Sequence, residues 1–204
     1  SDFDFYPPEQ AEVFATEDRE VTETGQPILN REERIVLRDG SGAWLLTSKV
    51  PLRDASGRTI GLAGCGLDIT DRKRAEEAHA RLATAVEQSA EAVMITDVNA
   101  TILYVNPAFE KTTGYTREEA IGQTPRILKS GQHDAEFYCR MWATLTGGDV
   151  WSGHLINKRK NGTLYEEDSS ISPVRDAAGE IVNYVAVKRD VTDERKREAQ
   201  MLRT

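Results

Sequence analysis

The chain has 204 residues, 39% hydrophobic and 29% charged, a globular composition and not a disordered one. Its formal net charge of −8 argues against broad attraction to nucleic acid or to an anionic membrane. No apolar run approaches the ~18–20 residues that cross a bilayer, and Cys65 and Cys139 lack ligand spacing, which excludes a disulfide framework and a cysteine-based metal site. A reducing, cytoplasmic setting is the reading that follows.

One internal repeat organises the chain. Residues 51–60 read PLRDASGRTI and residues 173–182 read PVRDAAGEIV, an offset of 122. The same offset pairs Gly40 with Gly162, Asp68 with Asp190, Thr70 with Thr192, Asp71 with Asp193, and Thr24-Gly25 with Thr146-Gly147. No gap is needed from residue 24 to residue 77, so the sequence predicts a duplicated domain. The boundaries are 1–70 for the first copy, 71–89 for a helical linker, 90–192 for the second copy and 193–204 for the start of a C-terminal helix. By this count the first copy lacks its front part, and no complete ligand pocket is expected there.

In chain order, the first copy reads as strands 28–38, 43–53 and 59–70, joined at Asp39-Gly40 and 54–57. The glycines of 61–66 point to a close approach by a backbone or helix, and Trp44 reads as a packing residue. Residues 71–89 hold no proline or glycine and carry a narrow stripe of Ala75, Ala78, Leu82, Ala85, Val86 and Ser89 at helical spacing. That stripe suits either a helix packed on its own domain or a connector pairing with a second chain.

The second copy adds a front half. Strands are expected at 92–97 and 101–105, and Asn106-Pro107 then supplies an N-cap and a first helical position. Thr116 and Glu119 form a capping box, and a longer helix at 134–145 closes on Gly147-Gly148. Strands at 150–160, 164–173 and 181–192 follow, the first two joined by the tight-turn pair Asn161-Gly162. Thr192-Asp193 opens a last helix through Met201-Leu202. This order gives an α+β fold: one five-stranded antiparallel sheet with helices over one face.

These segments resemble the PAS sensory domains with their C-terminal PAC part. The carrying residues are Ile95-Thr96-Asp97, the run from Ile102 to Phe109, Thr113-Gly114-Tyr115-Thr116, Asn161-Gly162 and Asp190-Val191-Thr192. Residues 124–165 are similar, more narrowly, to FAD-binding PAS domains of bacterial redox sensors, of the nitrogen-fixation-regulator and methane-monooxygenase-sensor type. The residues behind that likeness include the run from Thr124 to Gly131, Phe137-Tyr138, Trp142, Trp151-Ser152-Gly153 and the run from Asn157 to Tyr165. The resemblance implies that Asn157 and Trp142 contact an isoalloxazine. Met94, Ile127 and Leu128 are expected to line its slot, and Lys129, Lys158 and Arg159 to sit near its diphosphate. Two polar edge groups of that subgroup fall on Met94 and Pro125 here. The implied function is a cytoplasmic sensory input module that binds FAD and relays redox state, with light as the secondary signal. Asp190 and Thr192, and Asp68 and Thr70 in the first copy, would relay the signal to the helices. A homodimer through the helical linkers and a histidine kinase or cyclase output domain in the same polypeptide complete the expectation. The alternatives are a cofactor-free dimerisation and relay pair, or a small-metabolite sensor.

Other chemistries find little support. No phosphate loop, nucleophile elbow or zincin helix is present, so an enzyme is not expected. Glu166-Glu167-Asp168 reads as a solvated acidic face. His79, His133 and His154 read as surface residues, which leaves haem without an axial ligand. Cys139 is expected to be a packed small residue, the segment 124–133 has no cysteine for a flavin adduct, and Trp151 reads as a packing or dimer-contact residue.

Overall fold

The computed structural model describes residues 2–201, with side chains from Asp4 onward. Leu202, expected in the terminal helix, lies outside the described residues. The chain divides into two compact units between Arg81 and Leu82.

The first unit begins with a short helix α1 (Asp2–Phe5) and a helix α2 (Pro8–Thr24) that the sequence reading did not assign. Pro8 occupies the first turn, where its missing N–H is no loss. Ala11, Phe14 and Val21 form the buried face of α2, and Gly25 closes it at φ +68°, a left-handed conformation that glycine adopts freely. Strands β1 (Ile28–Val36), β2 (Gly42–Arg53) and β3 (Thr59–Asp68) make an antiparallel sheet in the order β1-β2-β3. Phe14 packs on Ile35 and Ala43. Lys49 is buried beside it, paired with Glu17 at 3.2 Å and Asp18 at 2.6 Å, because a buried ammonium must find counter-charge. Of the glycines in 61–66, a Cβ built on Gly61 would meet no atom within 4 Å, but one on Gly64 would lie 3.8 Å from the Ser48 carbonyl and one on Gly66 3.4 Å from the Leu45 side chain, and helix α2 lies against this strand. Helix α3 (Thr70–Glu87) follows and buries no residue.

The second unit contains β4 (Ala92–Asp97), β5 (Ile102–Val105), α4 (Pro107–Thr113), α5 (Arg117–Ala120), a single 3-10 turn at Pro125–Leu128, and α6 (Ala135–Gly147). Then come β6 (Trp151–Lys158), β7 (Leu164–Arg175), β8 (Ile181–Asp190) and α7 (Thr192–Met201). Five antiparallel strands lie in the order β5-β4-β8-β7-β6. The last strand of each copy ends two residues earlier than expected for one shared reason. Asp68 accepts from the Thr70 N–H at 2.8 Å, and Asp190 from the Thr192 N–H at 3.0 Å, so each aspartate turns the chain into its helix. Thr70 Oγ1 then accepts from Trp44 N, and Thr192 Oγ1 from Glu166 N, both at 2.9 Å.

The core of the second unit gathers Met94, Ile102, Val105, Phe109, Leu128 and Ala186. Its polar anchor is Asn106, which is fully buried. Asn106 Oδ1 accepts from Val93 N (2.8 Å) and Phe109 N (3.0 Å), and Nδ2 donates to the carbonyls of Val86 (3.0 Å) and Glu91 (2.9 Å). One side chain therefore caps α4 and ties the end of α3 to the start of β4. Asn106→Ala removes the cap and strands buried groups, so we expect a loss of about 3 kcal/mol in urea unfolding. A loss below about 1 kcal/mol would show that water replaces the amide.

Candidate functional site

A cavity of about 960 Å³ opens in the second unit, walled by β4, β6, β8 and α6. Met94, Trp142, Asn157 and Lys129 all line it. Trp142 is half-buried and meets Tyr184 edge-on at 5.6 Å. Lys129 is exposed at the rim with its ammonium 4.8 Å from the Tyr138 ring centre. Pro125, one of the two positions lacking a polar edge group, is on the wall as Met94 is.

Ile127 and Leu128 are not on the wall. The 3-10 turn points both into the core, where Leu128 is 1% exposed and Ile127 packs against the same cluster. Lys158 and Arg159 are also absent from the lining. Arg159 is fully engaged elsewhere: it donates to Asp190 Oδ2 at 2.6 Å and to the Thr112 carbonyl, and lies 4.5 Å over the Tyr165 ring. Cys139, expected to be packed, is exposed and lines the cavity. Trp151 packs against Phe137 edge-on at 5.8 Å.

The acidic run divides by strand alternation. Glu166 and Asp168 face outward and hold His154, each carboxylate 3.0 Å from a ring nitrogen. Glu167 faces inward and is 1% exposed, which overturns the expectation of a solvated residue there. Its Oε1 accepts from Asn157 Nδ2 at 2.9 Å and from Lys188 Nζ at 2.5 Å. Lys188, on β8, is itself 5% exposed and lines the cavity. Burial, then the charge of Glu167, pushes the neighbouring Tyr165 phenol far above its usual range, so it is neutral throughout the physiological range. The sequence reading missed Glu167 and Lys188. The signal was available in the two-residue period: Glu167 shares a face with Tyr165, and Lys188 with Tyr184 and Ala186.

His133, expected at the surface, also belongs to this wall's support. Its Nε2 accepts from Ile156 N at 2.9 Å, and its ring stacks on Phe137 at 4.2 Å. Ser130 Oγ donates to the Ile156 carbonyl, and Lys129 bridges to Asn157, so the segment after the 3-10 turn is laced to β6 beside Asn157. Burial, then the nearby His154, lowers the His133 pKa from its ordinary 6.5. Only the neutral ring can accept the Ile156 N–H. The contribution is therefore complete above pH 6.5 and is lost as pH falls below it. We expect the urea midpoint to fall between pH 7 and 5.5, and to fall measurably less in His133→Gln. Parallel pH profiles for the two proteins would contradict this assignment.

Sheet, helices and cavity together define an α+β domain built round a chamber of ligand size. The model of the PAS domain family matches residues 90–193, and that of the PAS fold matches residues 1–74. The chain belongs to the PAS family, as a tandem sensory signal-transduction module. It is 44% identical over 109 residues to a nitrogen fixation regulatory protein of Klebsiella oxytoca, covering 53% of this chain and 22% of that protein. The chain thus spans 22% of the length of that curated relative. A solved structure of an RNA-binding light-oxygen-voltage receptor shares the fold at TM-score 0.55 and 16% identity, covering 97% of this chain and 87% of its own. A light-oxygen-voltage domain described under "Flavin Analogue Sheds Light on Light-Oxygen-Voltage Domain Mechanism" matches at TM-score 0.51 and 25% identity, over 60% of this chain and 93% of its own. Among the described residues no helix is long and apolar enough to cross a membrane, and no cluster of metal-ligating side chains occurs.

Proposed function

We propose that the second unit binds FAD and that the module relays the flavin's redox state to an output domain in the same polypeptide, of histidine kinase or cyclase type. The observation that carries this reading is a large, mostly apolar chamber with polar groups converging at one end. A planar ring system needs flat apolar walls and a few groups that read its polar edge. Trp142, Tyr184 and Met94 supply walls; Asn157 and Lys188 supply the polar end. Lys129 and Arg126, both at the cavity, are the cations available to a diphosphate. When bound, the flavin supplies two-electron chemistry in which charge and protonation follow redox state. The flavin-analogue light-oxygen-voltage domain at 25% identity supports the same ligand class.

A cofactor-free relay is the competing reading. It requires a core filled by side chains, and a cavity of about 960 Å³ argues against that. Purified protein reconstituted with FAD is expected to show visible flavin absorbance, and Trp142→Ala to weaken FAD binding by about tenfold through loss of its aromatic contact. A protein that stays colourless after reconstitution would overturn the flavin reading.

The output route runs through Asp190 and Thr192 into α7, with Asp68 and Thr70 forming the same joint before α3. We assign α3 as the seam of a homodimer. Its stripe residues Ala75, Ala78, Leu82 and Ala85 are exposed, and Leu82 is 67% exposed. Light scattering is expected to give twice the chain mass, and Leu82→Glu to give the monomer mass. A monomeric wild type across working concentrations would overturn the seam.

A further inference from the structure

Glu167 and Lys188 form an ion pair whose side chains are 1% and 6% exposed. Only one of the two reaches the cavity: Lys188 is on its wall and Glu167 is not. Glu167 Oε1 already accepts from Asn157 and from Lys188. An ammonium carries three N–H donors and no acceptor, so donors remain for a ligand. The pair is thus a dipole with its positive end at the cavity and its negative end behind the wall. Away from bulk water such a dipole acts on a ligand with little screening.

The fold itself does not require this pair, and the internal repeat shows it. Register is conserved between the two copies at the offset of 122. Glu33 pairs with Leu45 as Leu155 pairs with Glu167, and Leu45 with Asp68 as Glu167 with Asp190. Thr47 likewise pairs with Gly66 as Ser169 pairs with Lys188. Asn157, Glu167 and Lys188 therefore correspond to Ile35, Leu45 and Gly66. The same sheet closes in the first unit with an apolar cluster of Ile35, Leu45 and Phe14. Where one copy has aliphatic side chains and glycine, the copy with the cavity holds a buried amide, carboxylate and ammonium. Their desolvation is costly, and the first copy shows that the meander does without them.

We infer that Lys188 sets which redox form of the ligand the cavity prefers, favouring the reduced, anionic flavin over the oxidised, neutral one. This rests on the flavin reading above. The balance is FAD plus two electrons plus one proton giving an anion of charge −1 on the ring, with the electrons supplied by a soluble two-electron donor. The ammonium end of the dipole stabilises that added charge. Asn157, whose Nδ2 is held by Glu167, keeps its carbonyl oxygen for a ring N–H.

The test uses the whole chain reconstituted with FAD and titrated with dithionite against reference dyes. It reads the midpoint potential, which reports the ratio of affinities for the two forms, so a general loss of binding cancels. Lys188→Met alone would leave a lone buried carboxylate and risk unfolding, so the double variant Lys188→Met/Glu167→Gln carries the test. We expect that double variant to lose at least tenfold of its preference for the reduced form, a fall of about 30 mV for a two-electron couple. Glu167→Gln alone leaves the positive end without its counter-charge, and the potential is expected to rise. Opposite shifts are not what a purely structural pair would produce. Wild-type protein that takes up FAD while both variants keep its potential would overturn the role of Lys188 and leave the flavin reading standing. Wild-type protein that takes up no FAD would overturn both.

Discussion

One carboxylate oxygen, Glu167 Oε1, accepts from both Asn157 and Lys188 and so joins β6, β7 and β8 behind the cavity wall. Removing a charge from water costs several kcal/mol unless a partner and further hydrogen bonds offset it. That cost dictates the local arrangement. Glu167 needs a cation, Lys188 is the one within reach on the adjacent strand, and the amide of Asn157 completes the shell. With these three groups facing inward, the period of two sends Glu166, Asp168 and His154 to the opposite face, where they pair with one another. The chemistry of both sheet faces follows from where one carboxylate is placed.

The two copies show one topology put to different uses. In the first, α2 lays Phe14 on Ile35 and Ala43, and Lys49 is satisfied by Glu17 and Asp18 of the same helix. In the second, α6 contributes Met141, Trp142 and Leu145 to the wall of a chamber. The joints into the following helices are equivalent, with the same aspartate and threonine bonds. Duplication has preserved the frame and the exits and changed what faces inward.

What the sequence made legible was local or periodic. Asn106-Pro107, the Thr116–Glu119 capping box and Asn161-Gly162 each specify their own backbone, and the structure has both caps where they were expected. Asn157 and Trp142 were reached through resemblance, and both do line the cavity. The sidedness of Ile127 and Leu128 was not legible, because one 3-10 turn offers too few residues for a period. Glu167 was hidden by its neighbours: three acids in a row look solvated until alternation is applied to each one. Helix α2 was missed because its buried face is only Ala11, Phe14 and Val21, a sparse stripe among charged residues. His133 depends on a backbone donor from a strand 23 residues away, a contact that no local pattern encodes.

The same geometry supplies a physical route from the cavity to α7. Tyr165 lies beside the Glu167 network, and Arg159 covers the Tyr165 ring while holding Asp190. Burial alone would raise the Asp190 pKa, yet bonds from Thr192 and Arg159 hold it below its usual value, so it is ionised. Asp190 in turn receives the Thr192 N–H and hydroxyl that start α7. Arg159 has no counterpart in the first copy, where the matching residue is Leu37. Contiguity becomes coupling only when a ligand has different affinity for two arrangements of the chain. Under the flavin proposal, a charged wall that distinguished two redox forms would meet that condition at one end, and the charged joint at the head of α7 would give the difference somewhere to act. The first unit has the same joint at Asp68 and Thr70, with Leu45 and Gly66 where the second has Glu167 and Lys188.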